Sequence, residues 1–236
     1  MESTIMLYKY ETHSHTSETS RCSRISGADL AHAYKEMGYT GIFISDHFFN
    51  GNTTVPRDLP WEERVKLYQE GYLAAKEEGD KIGLDVFFAW EYGGYGDYLI
   101  YGLDAKWLLD NPDQLEWKPR DYFNKVREDG GMVIHAHPFR EASYIDHIHL
   151  YPRHVDGVEI YNASMPSEVN ARAEWYAREY GLILSAGSDN HSGKRERLGG
   201  VYLPERIQSP ADFCRLMKEG KGEIFRDRYD ENGNRL

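Results

Sequence analysis

A single α/β domain of parallel strands and crossover helices, the size of one (β/α) barrel, is the architecture this sequence predicts. Three observations support it. The chain has 236 residues, enough to bury one good core. Apolar runs of strand length alternate with amphipathic segments of helix length, without internal repeat, low-complexity tract or long linker. Polar residues of metal-binding type recur where those apolar runs end, and in a parallel barrel the strand ends form one rim on which active sites are built. Residues 1–236 therefore read as one domain.

The elements follow in order. Ile5–Tyr10 reads as a first strand. Ser26 is placed to cap a helix whose Leu30, Ala33, Tyr34 and Met37 share a face, and Gly38 stops it. Thr40–Ser45 is a short buried strand, and Pro60-Trp61 opens a helix reaching Lys81. Between them, the polar loop Phe48–Leu59 reads as a rim or lid. Strands are expected at Asp85–Trp90 and Tyr98–Tyr101, then a helix at Pro119–Glu128 ended by Gly130-Gly131. Met132–Ala136 and Val155–Tyr161 read as strands, Pro166–Tyr180 as a helix, Leu182–Ala186 as a strand and Pro210–Glu219 as the last helix. Strands separated by helices imply parallel pairing.

Composition narrows the class. No run approaches the roughly 18 apolar residues of a membrane span, and the N-terminus lacks the basic start and apolar stretch of a signal peptide. Two cysteines, Cys22 and Cys214, are too few for a disulfide scaffold, so a cytoplasmic protein without membrane association is expected. Lys and Arg number 28 against 39 Asp and Glu, a net charge of −11 spread along the chain, which argues against an extended nucleic-acid groove. An anionic substrate stays compatible with this charge, because bound metals invert the local sign.

The strand ends carry the chemistry. His13-Ser14-His15 follows the first strand, Ser45-Asp46-His47 the second, and Glu91 the run Val86–Trp90. His135-Ala136-His137 ends the run Met132–Ile134, and Ser188-Asp189-Asn190-His191 follows Leu182–Leu184. In extended chain His13 and His15 point to one side, as do His135 and His137, and Asp189 and His191. Imidazoles suit zinc, iron and manganese, and carboxylates bridge neighbouring ions. A lone histidine after a strand is usually a hydrogen-bonded rim residue; five such sites at equivalent positions argue for a metal centre. Elsewhere the plainer reading holds. His32 is a packed or surface residue, His147, His149 and His154 lie in an irregular stretch, Asp46 orients an imidazole, and Cys22 is a residue of a polar loop.

These motifs, from Glu11 to Gly200, resemble the PHP family, named for polymerase and histidinol phosphatase domains. The resemblance rests on His-Ser-His-Thr at 13–16, Ser-Asp-His at 45–47, Trp-Glu-Tyr at 90–92, Ala-His-Pro at 136–138, Asp-Gly-Val-Glu-Ile-Tyr-Asn at 156–162 and Gly-Ser-Asp-Asn-His at 187–191. It implies a distorted TIM-like (β/α)7 barrel holding two or three divalent ions of zinc, manganese or iron. Carried over by motif, the ligands would be His13, His15, His47, Glu91, His137, Asp189 and His191, with Glu91 bridging. Asp97 stands where many members have histidine, and Glu18 is the nearest candidate for the ligand that members carry after the first motif. His135 would be a ligand, an acid or a substrate contact.

The implied activity is hydrolysis of a phosphate ester, a small phosphomonoester as in histidinol phosphatases, by a metal-bridging hydroxide. Three divalent ions against Glu91, Asp97 and Asp189 leave a surplus of about +3, suited to a phosphate dianion. His191 or His135 would assist the leaving group and Arg140 clamp the phosphate. Lys194, Arg195 and Arg197, interrupted by Glu196, read as a solvated loop. A nucleotide or oligonucleotide phosphodiesterase is the alternative, and a non-catalytic metal-binding regulatory domain is disfavoured by the near-complete ligand set. An amide- or lactone-cleaving barrel would want a lysine at a strand end, and none is present. The expected partner is a small phosphorylated metabolite or a nucleotide; the oligomeric state stays open.

Overall fold

In a computed structural model the described residues are 7–193, 196–230 and 234–236. Ile5, Met6, the N-terminal stretch read for a signal peptide, Lys194 and Arg195 lie outside them. In chain order the elements are β1 (Tyr8–Ser14), α1 (Gly27–Glu36), β2 (Gly41–Ile44), α2 (Trp61–Tyr68), α3 (Glu70–Ile82), β3 (Asp85–Phe88), β4 (Trp90–Tyr92) and β5 (Asp97–Tyr101). There follow α4 (Ala105–Asp110), α5 (Pro119–Glu128), β6 (Met132–Ala136), β7 (Gly157–Asn162), α6 (Ser167–Glu179), β8 (Ile183–Gly187), β9 (Arg197–Leu203), α7 (Pro210–Lys218) and β10 (Glu223–Arg228).

Among the described residues the strands form two five-stranded mixed sheets, ordered β10-β9-β1-β2-β3 and β4-β5-β6-β7-β8, rather than one continuous closed sheet. This corrects the all-parallel (β/α)7 expectation. The pairs β1–β2, β2–β3, β6–β7 and β7–β8 are parallel. The pairs β4–β5, β5–β6, β1–β9 and β9–β10 are antiparallel. Parallel pairing needs a crossover of a dozen or more residues. The chain between Tyr92 and Asp97 is far shorter and turns through Gly94 and Gly96, both at positive φ, so β5 folds straight back on β4. The two sheets meet through isolated parallel bridges, Ser14 to Asn190 at one seam and His47 to Glu91 at the other. The motifs at 13–16, 45–47, 90–92 and 187–191 sit on those seams.

Local signals placed most helices. Ser26 accepts from Asp29 N and caps α1 as expected, and Pro119 opens α5 at its first turn. The helix expected from Pro60 to Lys81 is instead divided at Gln69. Just past the division Gly71 packs against Thr16, in the turn after β1, where a Cβ would lie 1.9 Å from Thr16 Oγ1. The segment Phe48–Leu59 is not an open lid: Phe48, Phe49 and Val55 are buried in one core with Val65, Tyr68 and Trp90. A second core beneath the site joins Tyr10, Phe43, Leu99 and Ile134 to Phe213 and Leu216 of α7.

Candidate metal centre

Strand β1 runs further than its apolar pattern, so His13 lies within it and His15 just past it. The backbone then clips the two sheets together around them: His15 N donates to Asn190 O at 2.9 Å and Asn190 N to His13 O at 3.3 Å. At the other seam Glu91 N donates to Asp46 O at 3.0 Å and Phe48 N to Glu91 O at 2.9 Å. His13, His15, His47, Glu91, His137, Asp189 and His191 thereby converge, five of them buried and His47 and His191 partly exposed at the mouth of the site. Two of them, His137 at φ 28° and Asp189 at φ 53°, are the only non-glycine residues at positive φ among those described. Such backbone costs about 1–3 kcal/mol per residue and is characteristic of functional sites.

The hydrogen bonds decide which ring nitrogen faces inward. His13 Nδ1 lies 2.9 Å from Glu159 Oε1 and donates to that carboxylate, which turns Nε2 toward the cluster. Ser20 Oγ gives its proton to Asp46 Oδ1 at 2.6 Å and accepts from His47 N at 3.0 Å, so it accepts from His15 Nδ1 at 3.1 Å as well. Asp46 thus orients an imidazole through Ser20. His191 Nδ1 is tied to Asp189 O at 3.0 Å. As a result His13 Nε2 and His15 Nε2 confront each other at 3.1 Å, close enough to share one proton or, with that proton gone, one cation. Glu91 faces the same imidazoles. Glu91 Oε1 lies 3.4 Å from His13 Nε2 and 3.2 Å from His137 Nε2, while Oε2 lies 3.6 Å from His15 Nε2 and 2.6 Å from His47 Nδ1. Glu91 is 1% exposed, yet its Oε2 has no hydrogen-bond partner. Ring nitrogens converging on an orphaned buried carboxylate oxygen hold protons in the free protein and, once these are displaced, fit a divalent cation.

The electrostatics agree. Burial opposes charge throughout, but Glu159, Asp189 and Glu91 together hold His13 well above the usual imidazole range, and Glu91 does the same for His47. Glu91 and Asp189 are held well below the carboxylate range by these imidazoles, again against burial. His15 is pushed well below its ordinary value by burial and by His191 and His47. The cluster attracts positive charge, as protons or as metal.

Donor atoms group as His15, His47 and His191; as His13, His15 and Asp189; as Glu91, Asp97 and His137; and as His13, His137 and Glu159. Asp97, first residue of β5, places Oδ2 4.0 Å from His137 Nδ1 and 3.8 Å from Arg140 Nη1. Arg140 stands at the mouth and also bonds Tyr144. A cavity of about 650 Å³ opens over the cluster, lined by His47, Glu91, Asp97, His137, Asp189 and His191 among others.

Two expectations are corrected by placement. Glu18 does not join the cluster; both its oxygens accept from Gly27 N, at 3.0 and 3.1 Å, at the N-terminus of α1, where a carboxylate meets the positive helix end. His135 does not share a side with His137, because β6 ends at Ala136 and His137 leaves the strand with positive φ. Its ring stacks on Tyr98 at 4.5 Å, and burial followed by the nearby His137 pushes it down to about 3. It is therefore neutral, unsuited to donate a proton, and lines a neighbouring cavity of about 300 Å³ with His147 and His149. His32 pairs with Glu78 on the surface.

Sequence reasoning missed Glu159 as a participant. Oε2 also accepts from His137 N at 3.1 Å and Asn162 Nδ2 at 2.8 Å, so one carboxylate orients two of the converging histidines. A signal was present: a carboxylate inside the apolar strand run Val158-Glu159-Ile160 has no place to go but a buried polar site. Cys22 was read as a loop residue, yet its Sγ lies 3.2 Å from His47 Nε2.

The chain has the fold of PHP-like metal-dependent phosphoesterase structures. Residues 167–221 match a family model described as PHP-associated. Among solved structures, the chain is similar to a two-domain protein from Bacteroides vulgatus containing a predicted PHP-like metal-dependent phosphoesterase, at 15% identity and a TM-score of 0.69, covering 93% of this chain and 65% of that one. It is similar to a lesion-specific endonuclease from Pyrococcus furiosus at 11% identity and TM-score 0.62, covering 95% of this chain and 60% of that one. An amidohydrolase from Chromobacterium violaceum, solved with sulfate and no metal, aligns at 13% identity and TM-score 0.53, covering 92% and 97%. The chain thus spans less than two thirds of the first of these proteins. No curated protein matches it in sequence. Among the described residues no helix is long and apolar enough to cross a membrane.

Proposed function

We propose that this protein hydrolyses a phosphate ester, using two or three divalent ions of zinc, manganese or iron held by His13, His15, His47, Glu91, Asp97, His137, Asp189 and His191. The observation that carries the reading is the pair of imidazole Nε2 atoms 3.1 Å apart beside the unpartnered Glu91 oxygen. Divalent ions in such a site supply an acidified water nucleophile and positive charge for phosphoryl oxygens.

The chain's own groups divide the remaining work. Glu91, facing His13 and His137 with one oxygen and His15 and His47 with the other, would serve two cation positions at once. Asp97 adds an oxygen donor beside His137 and Glu91, favouring a hard ion there. Arg140, at the mouth beside Asp97, is placed to bind phosphate oxygens, and its bond to Tyr144 orients the guanidinium. His191 acts as a ligand rather than a proton donor, since its Nδ1 is committed to a carbonyl.

The substrate we favour is a small phosphomonoester, its alcohol portion lying toward the cavity of His135, His147 and His149. A phosphodiester is the second reading. It is favoured by the two adjoining cavities, which share Asp97, His137, Arg140 and Tyr144 and leave room for substituents on both sides of phosphorus. The test is turnover of p-nitrophenyl phosphate and bis-p-nitrophenyl phosphate by protein reconstituted with zinc, manganese or iron, followed by a phosphate-release screen of metabolites. Monoester turnover is expected. Metal-loaded protein that cleaves neither ester would overturn the proposal.

A further inference from the structure

The loop between β1 and α1 is fastened to the ends of the strands that carry the histidines. Arg24 N donates to His191 O at 2.8 Å, and Ser23 Oγ donates to His15 O at 3.0 Å. Ser20 Oγ binds both the His47 amide and the His15 ring, and Arg21 N donates to Asn52 O at 3.0 Å. One residue in the middle of this frame, Cys22, turns its thiol to the mouth of the cavity, 3.2 Å from His47 Nε2. His15, His47 and His191 already bring three ring nitrogens within 4.8 Å of one another. Beside them, the buried Glu91 Oε2 lacks any hydrogen-bond partner and lies 2.6 Å from His47 Nδ1 without donor geometry, an independent sign that a cation belongs there. The residue expected from the sequence to supply a further donor after His15, Glu18, is committed to the start of α1.

We infer that Cys22 is a ligand of the cation held by His15, His47 and His191, giving this position of the centre a sulfur donor. The inference rests on the metal-centre reading above. Its chemical consequence is an asymmetric site. A thiolate with imidazoles prefers soft or borderline ions such as zinc, whereas Asp97 at the opposite end prefers harder ones. The two ends of one centre are thus built to hold different metals.

The test uses the full chain, stripped of metal and reloaded. With cobalt(II), the wild type should display the near-ultraviolet charge-transfer absorption of a cobalt–thiolate bond, and Cys22→Ser should lose that band. Cys22→Asp should retain the bound metal without the band. Independently, on wild-type protein, iodoacetamide should alkylate Cys22 when metal is absent, the thiolate displacing iodide, and zinc should block the reaction. Cys214, buried in α7, is the internal control that stays unmodified in both. Cobalt bound without a thiolate band, or alkylation of Cys22 indifferent to zinc, overturns the sulfur ligand while leaving the metal centre standing. Failure of the wild type to bind cobalt or zinc at all overturns both.

Discussion

Replacing Glu159 by Gln changes one atom of a side chain that touches no solvent, and the hydrogen bonds around it set the consequence. The carboxylate accepts three donors: His13 Nδ1 at 2.9 Å on Oε1, and His137 N at 3.1 Å and Asn162 Nδ2 at 2.8 Å on Oε2. An amide offers one acceptor and one donor group. Asn162 cannot turn over to compensate, because its Oδ1 accepts from Ser164 N at 2.9 Å. The amide oxygen therefore settles opposite the two donors and its NH2 abuts His13 Nδ1. That ring must then present its lone pair at Nδ1 and carry its proton on Nε2, the atom aimed at the metal. Loss of such an orienting partner lowers metal affinity by about 10- to 100-fold, or about 1.4–2.8 kcal/mol. Competition titration of zinc against a fluorescent chelator measures it, with circular dichroism to establish that the variant is folded. A folded Glu159→Gln protein binding zinc as tightly as wild type would refute the tautomer argument.

Other outcomes follow from the same geometry. In Gly187→Ala the new Cβ would meet His13 Cβ at 2.5 Å and Glu159 Oε1 at 2.7 Å; overpacking of this kind costs about 1–3 kcal/mol, and thermal melts should show the fall together with weaker metal binding. Removing metal should lower the melting temperature: a ligand at a hundred times its Kd stabilises by about 2.7 kcal/mol, and at about 2–4 °C per kcal/mol for a chain this size the drop is about 5–11 °C, read by scanning calorimetry with and without chelator. Metal must displace protons from His13, His47 and His137, all held above the ordinary value, so affinity should rise with pH through and beyond the usual imidazole range and fall on acidification. Calorimetry in buffers of different ionisation enthalpy will register the released protons. Arg140→Ala should raise KM for the phosphate ester while leaving metal content unchanged; metal analysis and steady-state kinetics on one preparation separate the two.

Much of the site was legible in the linear order of residues. His13, His15, His47, Glu91, His137, Asp189 and His191 are marked by residue type and by their place at the ends of apolar runs, and the structure brings all of them together. Helices α1 and α5 and strand β6 also follow their local signals closely, since caps, a helix-opening proline and hydrophobic period act within a few residues. Glu18 went astray for an equally physical reason: proximity along the chain to His15 said nothing about the nearer claim of the Gly27 amide.

The remaining features are relations between distant segments. His13 and its orienting Glu159 stand 146 residues apart, so the identity of the metal-facing nitrogen is written in neither one alone. Antiparallel return of β5 on β4, and the division into two mixed sheets, arise from a connection too short for a crossover. Likewise His135 and His137 share a strand pattern but are parted by one left-handed φ. Donor chemistry belongs to side chains one at a time and can be read in order along the chain. Donor direction belongs to tautomers, backbone twists and partners across the seams, and folding alone supplies those.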